Sequence, residues 1–283
     1  MLKYIPEIIS FMKKIKEDRL SAYAAQSALF IFLSFMPFLM LLITIIRFSA
    51  LSVDTLMEFA ATFATPSFLT IIEALIEQLY TTDDSGFFLF SLISLMWAAG
   101  KGFVSLIEGL NSVFDINEHR GYFKLRFYSV IYTCVFVVII LICIAVFILG
   151  GQFLKLLHHY LPVIAQFIEQ IMAIRSLISI GLFTIFFTFL YVTIPYRNTK
   201  IRRQFPGAFF AAFCWTVFSY LFSLYVKLSE RLSLLYGGLT SLIMIILWLY
   251  ICMYIFLIGA EINQHLEQKN INEKIKTTPH HTC

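Results

Sequence analysis

Charge is scarce in this sequence, and so are the patterns that usually announce a polar site. Asp, Glu, Lys and Arg make up 13% of the 283 residues, against 60% hydrophobic residues. A soluble domain carries about 25% charge, so a single water-soluble globule is excluded. Cysteine is sparse and badly spaced for chemistry: Cys134, Cys143, Cys214 and Cys252 lie within apolar runs, Cys283 lies apart, and no CxxC occurs. Neither a disulfide framework nor a zinc site is expected from such spacing. The six histidines (His119, His158, His159, His265, His280 and His281) form no HExxH and no HxH beside acids. A P-loop, a GxSxG elbow and a dinucleotide fingerprint are also missing,. The expectation is therefore a non-enzymatic protein with no catalytic residues, no metal and no cofactor. Met1–Leu20 mixes Lys13, Lys14 and Lys16 with Glu7, Glu17 and Asp18 and has no apolar core, so no cleavable signal peptide is expected.

What is present is long apolar sequence. Phe alone accounts for 31 residues, and its bulk suits lipid contact and helix packing. Uncharged runs lie between Arg19 and Arg47, Arg126 and Lys155, Arg175 and Arg197, Arg203 and Lys227, and Arg231 and Glu261. Each can hold the roughly 20 residues that cross a bilayer core. They predict spans at 24–46, 127–149, 177–195, 206–226 and 239–260. A sixth, 87–114, is interrupted by Lys101 but is required by the loop charges. Lys3, Lys13, Lys14, Lys16 and Arg19, then Arg120, Lys124 and Arg126, then Arg197, Lys200, Arg202 and Arg203, then Lys269, Lys274 and Lys276 fall on one side. The other side carries Arg47, Lys155, Arg175, Lys227 and Arg231. The positive-inside rule then gives an all-α polytopic bundle of six spans, with both termini cytoplasmic in a bacterial inner membrane.

The domain expectation is one integral membrane domain over 1–265 and a polar, irregular cytoplasmic tail over 266–283. Two outer segments, 53–80 and 156–174, carry apolar residues at helical spacing interrupted by Pro66 and Pro162. They read as amphipathic helices in the outer loops. Met1–Arg19 is expected on the inner interface, its lysines near anionic headgroups.

Ionisable residues within spans are costly and mark either function or a pairing. In the second span Lys101, Glu108 and Asn111 share roughly one helical face, because seven residues make close to two turns. Ala98 and Gly102 form a small-xxx-small pair that permits close helix approach, and Gly100 leaves further room beside Lys101. An anion in a cavity, a snorkelling lysine or a Lys101–Glu108 pair would each account for Lys101. The first span offers Gln26 and a Pro37 kink, and the last ends on Glu261. Gly237 is placed in a tight turn before that span, and Pro206 in the first turn of the fifth.

These motifs taken in order resemble the YihY/BrkB family of bacterial inner-membrane proteins, over about Ala22–Gln264. The resemblance is carried by Ala24-Ala25-Gln26-Ser27-Ala28 leading to Phe35-Met36-Pro37, and by Trp97-Ala98-Ala99-Gly100-Lys101-Gly102 with Leu110-Asn111. It continues through Pro195, Pro206-Gly207-Ala208, Tyr236-Gly237, Leu247-Trp248-Leu249-Tyr250 and Gly259-Ala260-Glu261. Family members often have a small polar residue near the second-span lysine where this chain has Gly100. The resemblance implies an integral membrane protein, in a family whose members have been labelled ribonuclease BN, linked to serum resistance or proposed as lipid exporters. The ribonuclease label is not carried over, because a metal-dependent nuclease needs a His/Asp cluster that is missing here. The leading expectation is a transporter or exporter of an amphipathic or lipid-like anionic substrate. Its alternative is a non-transporting envelope protein that binds lipid or a partner protein. Membrane lipids are the expected partners and nucleic acid is not; the oligomeric state is left open.

Overall fold

The computed structural model describes residues 5–47, 86–116, 121–139, 141, 175–195, 197, 199–228 and 238–277, with isolated positions 57, 61, 69, 73 and 74. Among them are seven helices and no strand: α1 (Ile5–Glu17), α2 (Leu20–Arg47), α3 (Gly86–Val113), α4 (Tyr122–Ile139), α5 (Arg175–Thr193), α6 (Ile201–Leu228) and α7 (Gly238–Thr277). Five are long and apolar enough to cross a membrane: α2, α3, α4, α6 and α7. The fourth expected span is α5, whose apolar stretch Ser179–Thr193 is shorter than a full crossing. Six spans are consistent with this set. The outer segments 53–80 and 156–174 and Gly237 lie outside the described residues, apart from the isolated positions.

Two boundaries differ from the sequence reading, each for a physical reason. The last helix does not end near Ala260 but continues to Thr277, through much of the expected irregular tail. Glu267 explains part of the extension, because its carboxylate meets Arg203 at 2.9 Å and Arg197 at 3.2 Å. Pro206 lies inside α6 and not in its first turn, since the helix already begins at Ile201. Pro37 sits within α2, the first expected span. Having no N–H, it leaves the carbonyl four residues back, at Leu33, without its helical donor.

The chain's own contacts divide it into two units. Unit 1 comprises Met1–Leu29, Val104–Gly121 and Ser176–Cys283, and unit 2 comprises Phe30–Phe103 and Tyr122–Arg175. Unit 2 is built around Leu41, Leu95 and Val137, one from each of α2, α3 and α4, with Phe38, Phe88, Leu92 and Met96 packed against them. Gly102 lets α3 close on α2, its missing Cβ position lying 3.4 Å from the Ile31 side chain and 3.6 Å from the Ile31 backbone. Burying such side chains supplies about 1.5–3 kcal/mol each, although in lipid much of that comes from packing alone.

Unit 1 packs by near-contact of backbones. A Cβ on Gly207 of α6 would run into the Gly259 carbonyl oxygen of α7, and one on Gly259 would lie 2.6 Å from the Gly207 carbonyl oxygen. Glycine is required at both positions for that approach. Ala208, Ala211, Ala212 and Ala260 are buried alongside. The Tyr191 hydroxyl of α5 donates to the Phe256 carbonyl at 2.6 Å and pins the third helix of this group.

Candidate functional site

The sequence-derived candidates fall into both units. Lys101, Gly100, Gly102, Ala98 and Pro37 belong to unit 2, whereas Gln26, Glu108, Asn111 and Glu261 belong to unit 1. Each group has its own local chemistry.

In unit 2, Ala98 is buried and the half-buried Lys101 is held by aromatic rings. Its Nζ lies 4.5 Å from the Trp97 ring centroid and 5.2 Å from that of Phe30. Trp97 comes one turn earlier on α3, at the spacing that lets its ring lie under the lysine stem. The indole is 54% exposed, so this cradle opens outward. Lys101 makes no ion pair among the described residues. Arg126, read from the sequence only as a topological signal, is a second cation beside Trp97. Its Nη2 donates to the Trp97 carbonyl at 2.9 Å and reaches the Met96 carbonyl at 3.5 Å. A helical carbonyl has a second lone pair after its i+4 bond, and Gly100 exposes these two. A Cβ on Gly100 would stand 3.1 Å from the Arg126 guanidinium. The glycine that seemed to make room for Lys101 thus makes room for Arg126.

In unit 1 the candidates separate. Gln26 is exposed on α2, Glu108 is half-buried with no ion pair among the described residues, and Asn111 is buried, its carbonyl accepting the Ile116 N–H at 2.8 Å. Glu261 is 2% exposed, and its carboxyl lies within hydrogen-bonding reach of that of Asp18, in the turn between α1 and α2. Lys14 meets Asp18 at 3.3 Å and Asp115 at 2.7 Å. Burial pushes the Asp18 carboxyl above its ordinary value, and the Lys14 charge pulls against that,. Burial would lower Lys14, but its hydrogen bonds and charge contacts with Asp115 and Asp18 leave it raised. Asp18 was missed because it lies in a mixed-charge stretch, Lys16-Glu17-Asp18-Arg19, and only the fold brings it to Glu261.

A second polar centre in unit 1 joins two of the resemblance motifs. Asn263 of α7 accepts from the Gly207 N–H at 2.7 Å and donates to the Gln204 carbonyl at 2.8 Å. It thereby satisfies backbone groups on both sides of Pro206, as buried backbone in a bilayer requires. Pro206-Gly207-Ala208 and Gly259-Ala260-Glu261 are therefore two halves of one helix junction. Nearby, Arg197 stacks over Phe114 at 3.8 Å and reaches Gln264 at 3.3 Å. Its burial lowers its affinity for a proton, against the opposing pull of Glu267. Among the described residues no three His, Cys, Asp or Glu side chains group as metal ligands.

Comparison with known proteins finds relatives along nearly the whole chain. The family model described as virulence factor BrkB matches residues 11–282. A ribonuclease-like protein of Bacillus subtilis strain 168, YfkH, is 28% identical over 246 residues, 87% of this chain and 90% of its own length. A UPF0761 membrane protein of Alteromonas mediterranea is 26% identical over 280 residues, covering 95% of this chain and 90% of its own. Another from Haemophilus influenzae strain 86-028NP is 24% identical over 274 residues, with 94% and 96% covered. No solved structure matches. With its motif junctions assembled in apolar helices and a family match along nearly its whole length, the chain is an integral membrane protein belonging to the BrkB virulence factor family.

Proposed function

We propose that this protein is a non-enzymatic transporter or exporter, in a bacterial cytoplasmic membrane, of an amphipathic or lipid-like anionic substrate. The observation that carries the reading is Lys101, a cation on a membrane-spanning helix with aromatic rings as neighbours and no ion pair among the described residues. A lysine at the centre of a span costs about 2.5–3.5 kcal/mol. Two ring contacts at an outward-open site return about 0.5–1 kcal/mol each. The shortfall is what an anionic headgroup would supply, and the exposed Trp97 face gives it an approach from lipid. Arg126, anchored on the Trp97 carbonyl, adds a second positive charge to the same unit. The ribonuclease-like name belongs to the Bacillus relative and is not extended to this chain.

The test is reconstitution of the full chain in liposomes, followed by lipid-scrambling and solute-flux assays over anionic and zwitterionic substrates. Flux by wild type that falls at least tenfold in a folded Lys101→Ala variant supports the reading. Absence of flux across the whole panel overturns it. Saturable lipid binding without flux would instead identify a non-transporting envelope protein that organises lipid or a partner.

A further inference from the structure

The carboxyl groups at the α1–α7 contact of unit 1 have a chemistry that transport of an anion does not use. Asp18 is 6% exposed and Glu261 is 2% exposed, and their carboxyls lie within hydrogen-bonding reach of each other. Two ionised carboxylates cannot make that bond, because neither has a hydrogen to donate. The other groups around them do not fill the gap. Lys14 of α1 reaches Asp18 at 3.3 Å, but its shorter bond, 2.7 Å, goes to Asp115 beyond α3. The Ser112 hydroxyl donates to the Asp18 backbone carbonyl at 3.2 Å, not to its carboxyl. His265, one turn along α7 from Glu261, packs edge-on against Phe11. Asp18 Oδ2 and Glu261 Oε2 consequently stay buried with no hydrogen-bond partner among the described residues. One ammonium faces three carboxylates here, and two of them are in contact out of water. Like charges so placed cannot both ionise readily.

We propose that Asp18 and Glu261 form a proton-binding site, which holds one proton between the two carboxyls in neutral solution and releases it on alkalinisation. The bound proton turns a like-charge contact into a carboxylic acid–carboxylate hydrogen bond and supplies the missing donor. A metal cation is disfavoured as the occupant because the Lys14 ammonium already stands against Asp18, and no three acidic, His or Cys side chains group as ligands among the described residues. Because the bond joins the end of α1 to α7, loss of the proton places two negative charges across that contact and loosens α1. The proposal is independent of the transport reading.

Infrared spectroscopy of the full chain in lipid nanodiscs tests it directly, with pH raised stepwise from acid to alkaline. A Glu108→Gln background removes the half-buried carboxyl of this unit that has no ion pair among the described residues; Glu267, the other half-buried one, is held as a carboxylate by Arg197 and Arg203. In that background a protonated-carboxyl stretch should persist at neutral pH, shift in heavy water and bleach as pH rises. Adding Glu261→Gln, whose amide can donate to an ionised Asp18, should delete the band and keep the fold; Asp18→Asn should delete it too. His265→Gln should leave it in place. Absence of the band at neutral pH in the Glu108→Gln background overturns the proposal, and this needs no substitution in the pair itself. A band that survives both Glu261→Gln and Asp18→Asn, or that bleaches on adding sodium or potassium at fixed pH, overturns it as well.

Discussion

Unit 1 and unit 2 handle the same difficulty, charge among apolar helices, in opposite ways. Unit 1 pairs most of its buried charges with one another, Lys14 with Asp18 and Asp115, and Arg197 and Arg203 with Glu267, while Glu108 has no ion pair among the described residues. Unit 2 leaves Lys101 and Arg126 without an ion pair among the described residues and holds them by rings and backbone carbonyls. The packing follows the same division. Unit 1 joins α6 to α7 through glycine backbones, whereas unit 2 fills its centre with Leu, Val and Phe. A region whose charges are largely paired is specified by geometry and tolerates little change. A region with spare positive charge can accept something from outside. On the proposed function, unit 2 is the receptive part and unit 1 the frame.

The largest expected effect comes from breaking the frame. Gly207→Ala drives a methyl into the Gly259 carbonyl, and neither helix backbone can yield locally. A loss of about 3 kcal/mol or more is expected, at the upper end of overpacking costs, read as lower folded yield and an earlier denaturation midpoint in detergent. Glu267→Gln, which removes the shared partner of Arg197 and Arg203, should cost less, about 1–2 kcal/mol after solvent screening of the more exposed Arg203. The same measurement checks it, with Arg203→Gln smaller still. Asp18 gives a pH signature. Its folded carboxyl is raised by burial, so the folded chain binds a proton that the unfolded chain has released. Its contribution is complete below the ordinary carboxyl value and fades as pH rises through the raised one. Midpoints measured from acid towards neutral pH should show that decline, and Asp18→Asn should flatten it. The smallest effect is expected in unit 2. Gly100→Ala crowds only the end of the flexible Arg126 side chain, so stability should change by less than about 1 kcal/mol. If Gly207→Ala and Gly100→Ala prove equally damaging, the contrast between frame and receptive part fails.

Much of the fold could be read without coordinates, because bilayer physics leaves few choices. An uncharged run of sufficient length becomes a helix, and α2, α3, α4, α6 and α7 all coincide with expected spans. Even α3 was recoverable despite Lys101 and Glu108, since the loop charges demand a crossing there. The site was less legible. Lys101 stood out because a lone cation in an apolar run is conspicuous, but its Phe30 neighbour comes from α2 and has no local signal. Arg126 looked like a loop charge because it lies near the start of α4, and nothing in sequence shows that it reaches back to Trp97. Asp18 is hidden among Lys13, Lys14, Lys16 and Arg19. Its partner is more than two hundred residues away, and periodicity carries no information over that distance. The extension of α7 was missed for a related reason: Glu267 is an ordinary polar residue until Arg197 and Arg203 are brought beside it.

The length of α7 has a mechanical consequence. Forty residues of continuous helix make a rod about 60 Å long at 1.5 Å per residue, roughly twice the hydrocarbon thickness of a bilayer. An α-helix is stiff over that distance, so a push or twist on its last turns arrives at Gly259 and Glu261 with little slack. Those residues touch Gly207 and Asp18. A load on the far end of α7 is therefore felt at both the backbone junction with α6 and the carboxyl pair beneath α1.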